Sequence, residues 1–166
     1  SLSPAISSVG IGATATPSSA VISNYIKIGF VHIIPRGLDH ILFVLGLFFY
    51  ASKWRPLLMQ ITIFTLAHSL TLALASRGLF TLPATIVEPL IAVSIAYVAL
   101  ENLWQRKLRF SRLLIIFAFG LLHGLGFAAV LSDIGLPSAD FLISLISFNI
   151  GVELGQITVI LSLIHI

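Results

Sequence analysis

The stretch GFVHIIPRGLDHILFVLGLFFY, residues 29–50, opens polar and closes as an unbroken apolar run. His32, Arg36, Asp39 and His40 stand just where that run begins. The run has no two-residue alternation and no polar face, so it reads as a membrane-spanning helix rather than a barrel strand or the surface helix of a soluble domain. Pro35 suits the first turn of such a helix, where its missing N–H would have no partner in any case. The first span is therefore expected over 35–51, after an amphipathic lead-in over 25–34.

Outward from this stretch the same pattern recurs. Charged residues are 9 % of the chain and apolar ones 58 %, against about 25 % charge in a soluble domain. Apolar runs over 56–76, 83–104, 111–131 and from 138 onward complete five spans of an all-α, polytopic membrane helix bundle. Residues 1–23, uncharged and rich in Ser, Ala and Thr, read as an extramembrane flexible tail, and 24–166 as the transmembrane domain. The last run reaches Ile166 without a polar flank, which leads us to expect a further C-terminal span. Lys53 and Arg55 follow the first span, and Arg106, Lys107, Arg109 and Arg112 follow the third, whereas the other two loops carry Arg77, and Asp133 with Asp140. By the positive-inside rule the N-terminus lies outside, periplasmic if the membrane is a bacterial inner membrane. Most of the basic residues behind the net charge of +3 thus lie in the loops, where topology alone explains them. With no basic stripe or recognition motif, nothing points to nucleic acid. The chain has no cysteine, so disulfides and thiolate metal sites are excluded.

At about 1.5 Å of rise per residue, the polar residues sort by depth. Asp39 and His40 fall in the outer turns of the first span, His68 in the outer half of the second, Glu88 a turn into the third, and His123 in the outer half of the fourth. Asn149, Glu153 and Gln156 share one face of the fifth, deeper in. Glu101 is expected to pair with Arg106 or Arg109 at the inner surface. An ionisable side chain inside a bilayer costs at least about 2.5 kcal/mol, so these groups must face the bundle interior. Imidazoles with carboxylates suit borderline divalent ions such as Ni, Co, Zn or Fe. Neighbours on a helix diverge by about 100°, so one of Asp39 and His40 would bind while the other orients a histidine. Pro89 frees a carbonyl beside Glu88, and Gly120 with Gly124 forms a GxxxG packing motif around His123. Other uses of these residues stay open: hydrogen bonds that only hold helices together, a zinc hydrolase helped by Ser69 or Glu88, a haem between His68 and His123, or a structural or accessory subunit of a larger complex.

The blocks GFVHIIPRGLDHILFVLGLFF, FTLAHSLTLALA, VEPLIAVSIAYVALENL, FGLLHGLGFA and FNIGVELGQ occur in order, one per span, over about residues 25–160. Together they resemble the HupE/UreJ family of membrane proteins, associated with hydrogenase and urease and regarded as nickel or cobalt permeases. The resemblance implies a non-enzymatic metal-binding protein or permease, with the lipid bilayer, the metal ion and metalloenzyme maturation machinery as partners. It marks His32, Asp39, His40, His68, Glu88 and His123 as metal residues. Asn149 and Glu153, with Gln156 on the same face, would form an inner pathway. Family members carry five residues between the first histidine and the Asp-His pair, where this chain has the six residues IIPRGL. No P-loop motif is present, so the chain does not hydrolyse ATP by itself.

Overall fold

The computed structural model describes residues 18–50, 53–104, 110–134 and 140–165. They form six helices: α1 (Ser18–Ile33), α2 (Leu38–Tyr50), α3 (Trp54–Ser76), α4 (Ala84–Trp104), α5 (Phe110–Ile134) and α6 (Phe141–Ile164). There is no strand among the described residues. α3 to α6 are each long and apolar enough to cross a membrane, and α1 with α2 is a further candidate span, broken and bent by 71°. The expected polytopic helical bundle is therefore present.

The first span departs from expectation. Pro35 does not start a helix but lies in the turn between α1 and α2. Proline disfavours helical backbone at the residue before it. Gly37 then fits against the carbonyl of His32 and the backbone of Ile33, where a side chain would collide. The lead-in is a full helix of 16 residues that begins at Ser18. Residues 1–17, together with the loop residues Arg106, Lys107 and Arg109, lie outside the described residues.

Two close helix pairs organise the bundle: α1 lies along α6, and α3 along α5. Gly29 meets the backbone of Phe148 and Val152, Gly151 that of Ile26 and Phe30, and further along Gly155 meets Ile33, so positions rise together as in parallel helices. Gly120 seats against Phe64 and Ala67, and Gly124 against His68 and Thr71. The GxxxG motif thus brings α5 onto α3, and Thr71 Oγ1 donates across that seam to the Leu121 carbonyl at 2.7 Å. α2 packs on α4 and α6, held by Asn102 Nδ2 donating to the Gly46 carbonyl at 2.8 Å. Phe43, Leu47, Phe64, Ile116 and Phe148 are fully buried, whereas Leu66, Val93, Leu103, Leu142 and Ile146 are exposed. In a bundle of this hydropathy that exposed apolar belt is the lipid-facing surface.

One end of the bundle is tied by charge. Glu101 pairs with Arg112 of α5. Arg112 also donates through Nε to Gln60 Oε1 at 3.0 Å, and its guanidinium lies 3.5 Å from the ring centroid of Tyr50. Helices α2 to α5 meet at this buried network.

Candidate metal centre

The break between α1 and α2 builds the site. α1 ends with His32 in its last turn, and α2 starts with Asp39 in its first. The turn between them therefore folds His32 back against His40, ring centroids 4.7 Å apart. α3 supplies His68, with ring centroids 5.6 Å from His40 and 6.0 Å from His32. His32, His40 and His68 each offer a ring nitrogen, and these atoms lie within 4.8 Å of one another. Metal–nitrogen bonds of about 2.1 Å require slightly closer approach, which small side-chain rotations supply.

Burial and orphaned atoms fit a ligand set. His40 and His68 are 1 % and 0 % exposed. Nε2 of His32, Nε2 of His40 and both ring nitrogens of His68 are buried without a hydrogen-bond partner, and His40 Nδ1 has only the Asp39 carboxylate beside it. Unsatisfied buried polar atoms are costly, and in a membrane bundle a metal ion is the partner that satisfies several at once. The walls are aromatic. Phe127 stacks on His32 at 3.8 Å, and Phe64 lies within 6.2 Å of His40, His68 and His123 by ring centroids. They exclude water and fix ring orientations.

The remaining residues fall around this core. His123 of α5 lies 5.1 Å from His40 by ring centroids, but its Nδ1 bonds to the Phe119 carbonyl at 2.8 Å. Only its buried Nε2 is left without a partner. Asp39 Oδ1 approaches His40 Nδ1 at 3.2 Å, the position of a carboxylate that orients a ligating imidazole. Glu88 does not touch the cluster, yet it lines the same cavity of about 840 Å³, whose wall also includes His32, Asp39, His40 and His123. Arg36, already marked at the start of the apolar run, lines it too, and so does Lys27, which the sequence alone did not single out. The signal was there: Asn24, Lys27, Ile28, Val31 and His32 follow i, i+3, i+4, i+7, i+8 spacing, one face of α1.

The centre lies nearer the helix midpoints than a span starting at Pro35 implies, because α1 already runs along α6 before Asp39, with Ile33 packed at Gly155, beyond the midpoint of α6. His68 and His123 are close to the midpoints of α3 and α5. Asn149 and Glu153 line a second cavity of about 270 Å³ between α3 and α6. Gln156 is buried beside it, its Oε1 accepting from Thr65 Oγ1 at 3.1 Å. A porphyrin between His68 and His123 has no space, because the rings of His40 and Phe64 occupy it, each within 6.2 Å of both histidines.

Among protein families, the HupE / UreJ protein model matches residues 11–166. No curated protein matches the chain. No solved structure matches it either.

Proposed function

Because the chain belongs to the HupE/UreJ family, we propose that it binds a divalent transition-metal ion and carries it across the bacterial inner membrane, with the N-terminus on the periplasmic side. The family resemblance favours nickel, then cobalt, as the ion. The observation that carries this reading is the meeting of His32, His40 and His68 from three helices, with chelating nitrogens within 4.8 Å and mostly unpartnered. Asp39 and Glu88, on the wall of the large cavity, offer carboxylate oxygens to an arriving hydrated cation. Imidazoles then replace its water, since borderline ions favour nitrogen over oxygen. His123 stands beside His40 as a further nitrogen for hand-over. Delivery would serve a metalloenzyme maturation machinery on the far side.

Elemental mass spectrometry of the purified protein tests the binding step. We expect about one transition-metal ion per chain, lost in His40→Ala and in His68→Ala. Uptake of the same ion into proteoliposomes, saturable and abolished in those variants, tests the transport step. A folded protein that holds no metal at any loading overturns the reading.

A second reading has one observation in its favour. The large cavity brings Glu88 near a three-histidine cluster, the open space that an intramembrane zinc hydrolase needs for substrate and water. Hydrolysis of a lipid amide or ester by zinc-loaded protein, lost in Glu88→Gln, would select it over the permease.

A further inference from the structure

α6 carries a carboxylate that the histidine cluster does not use. Glu153 is half-buried on the α3 side of α6, and among the described residues it forms no ion pair. Its hydrogen bond comes from Thr62 Oγ1 at 2.6 Å. No lysine, arginine or histidine lines the cavity that it shares with Asn149, Thr65 and Ser69. Of the ionisable groups on the helices packed against α6, Lys27, His32, Asp39 and His40 line the large cavity, His68 belongs to the cluster, Arg55 lies over the Trp54 ring, and Tyr50 lies under the Arg112 guanidinium.

The hydroxyls around Glu153 have their protons engaged: Ser69 Oγ donates to the Thr65 carbonyl at 2.6 Å, and Thr65 Oγ1 to Gln156 Oε1 at 3.1 Å. Asn149 Nδ2 gives one of its two protons to the Leu145 carbonyl at 2.8 Å, and its Oδ1 is buried and unpartnered, on a residue only 8 % exposed. Each hydroxyl has one proton to give, so what the two hydroxyls and Asn149 Oδ1 can still offer the cavity is lone pairs. A lining of acceptors beside an uncompensated carboxylate calls for a positive charge.

From this we infer that Glu153, Asn149, Thr65 and Ser69 form a second cation site, separate from the histidine cluster, that takes a small hard monovalent cation, H⁺ or Na⁺. Oxygen ligands select a hard ion, and a single carboxylate neutralises one positive charge and not two. The site assigns Asn149 and Glu153 to a different ion from the metal that a linear inner pathway would pass to them. If the chain is the permease proposed above, this is the coupling ion, because α3 carries His68 and Ser69 side by side.

The test is infrared difference spectroscopy on the full chain in lipid nanodiscs. Spectra are recorded between acid and alkaline buffer, and between sodium and choline chloride at fixed pH. A protonated-carboxyl band that disappears on adding sodium identifies Na⁺; one that disappears only as pH rises identifies H⁺. Either band must be missing in Glu153→Gln. Asn149→Leu, which keeps the carboxylate, should move the sodium or proton midpoint by about tenfold in ion concentration, roughly the effect of losing one buried acceptor. Superimposable difference spectra for wild type and Glu153→Gln overturn the inference. Should Glu153→Gln not fold, unmoved midpoints in both Asn149→Leu and Ser69→Ala overturn it instead. No transition metal enters the readout, so this site and the permease reading can fail separately.

Discussion

His40 stands between three other imidazoles, 4.7 Å from His32, 5.6 Å from His68 and 5.1 Å from His123 by ring centroids. Four histidines at one place are more than a three-ligand site needs, and their surroundings divide their roles. His32, His40 and His68 have mutually close nitrogens, whereas His123 has committed Nδ1 to a carbonyl of its own helix. Alanine at His32, His40 or His68 should therefore abolish stoichiometric metal. His123→Ala and Asp39→Asn should instead weaken affinity by about 10- to 100-fold, the usual effect of removing a group that supports a ligand. Competition titration with a metal indicator separates the two outcomes. Equal losses at all five positions would mean that His123 and Asp39 bind the ion directly.

At the scale of elements, the glycines decide how close helices come. A side chain at Gly124 would strike the His68 backbone and the Thr71 hydroxyl, and one at Gly120 the Phe64 backbone. Gly124→Val should cost about 1–3 kcal/mol through overpacking and weaken metal binding as well, since it pushes α5 off the helix that holds His68. Gly78 makes the contrast: its φ is +69° and nothing lies within 4 Å of an added side chain. Gly78→Ala should cost about 1–2 kcal/mol for the left-handed backbone alone and leave metal affinity unchanged. Thermal unfolding in detergent, followed beside metal titration, distinguishes the two glycines.

Across the whole molecule, the network at the far end from the α3–α4 turn joins four of the six helices. Arg112 is 2 % exposed and Glu101 9 %, so either alone would be a buried charge without a counter-charge. Glu101→Ala or Arg112→Ala should each destabilise by about 3–5 kcal/mol, and the double apolar replacement Glu101→Leu/Arg112→Met by much less. Chemical denaturation of the three variants checks this. Additive losses in the double variant would show that the two side chains act independently. The break at 34–37 works at the same scale: it lets one continuous stretch of chain place His32 and His40 on facing helices, which a straight span could not do.

The helical bundle and the identity of the cluster residues could be read from the sequence because hydropathy and charge cost are local: a run of apolar residues must span, and a histidine inside it must turn inward. The packing role of GxxxG and the shared face of Asn149, Glu153 and Gln156 on α6 were legible for the same reason, since helical period alone sets them. What only the tertiary structure decided was who meets whom. The sequence put Pro35 at a helix start, the reasonable reading along the chain, and did not show that Arg112 would meet Glu101. In the fold, Pro35 and Gly37 break the span so that His32 meets His40, and Arg112 reaches Glu101 because α5 packs beside α4. The separation of Glu153 from the histidines likewise follows from which face of α3 each one meets. Contacts between helices far apart in sequence depend on how side chains fit across their seams, and no periodicity within a single helix encodes that fit.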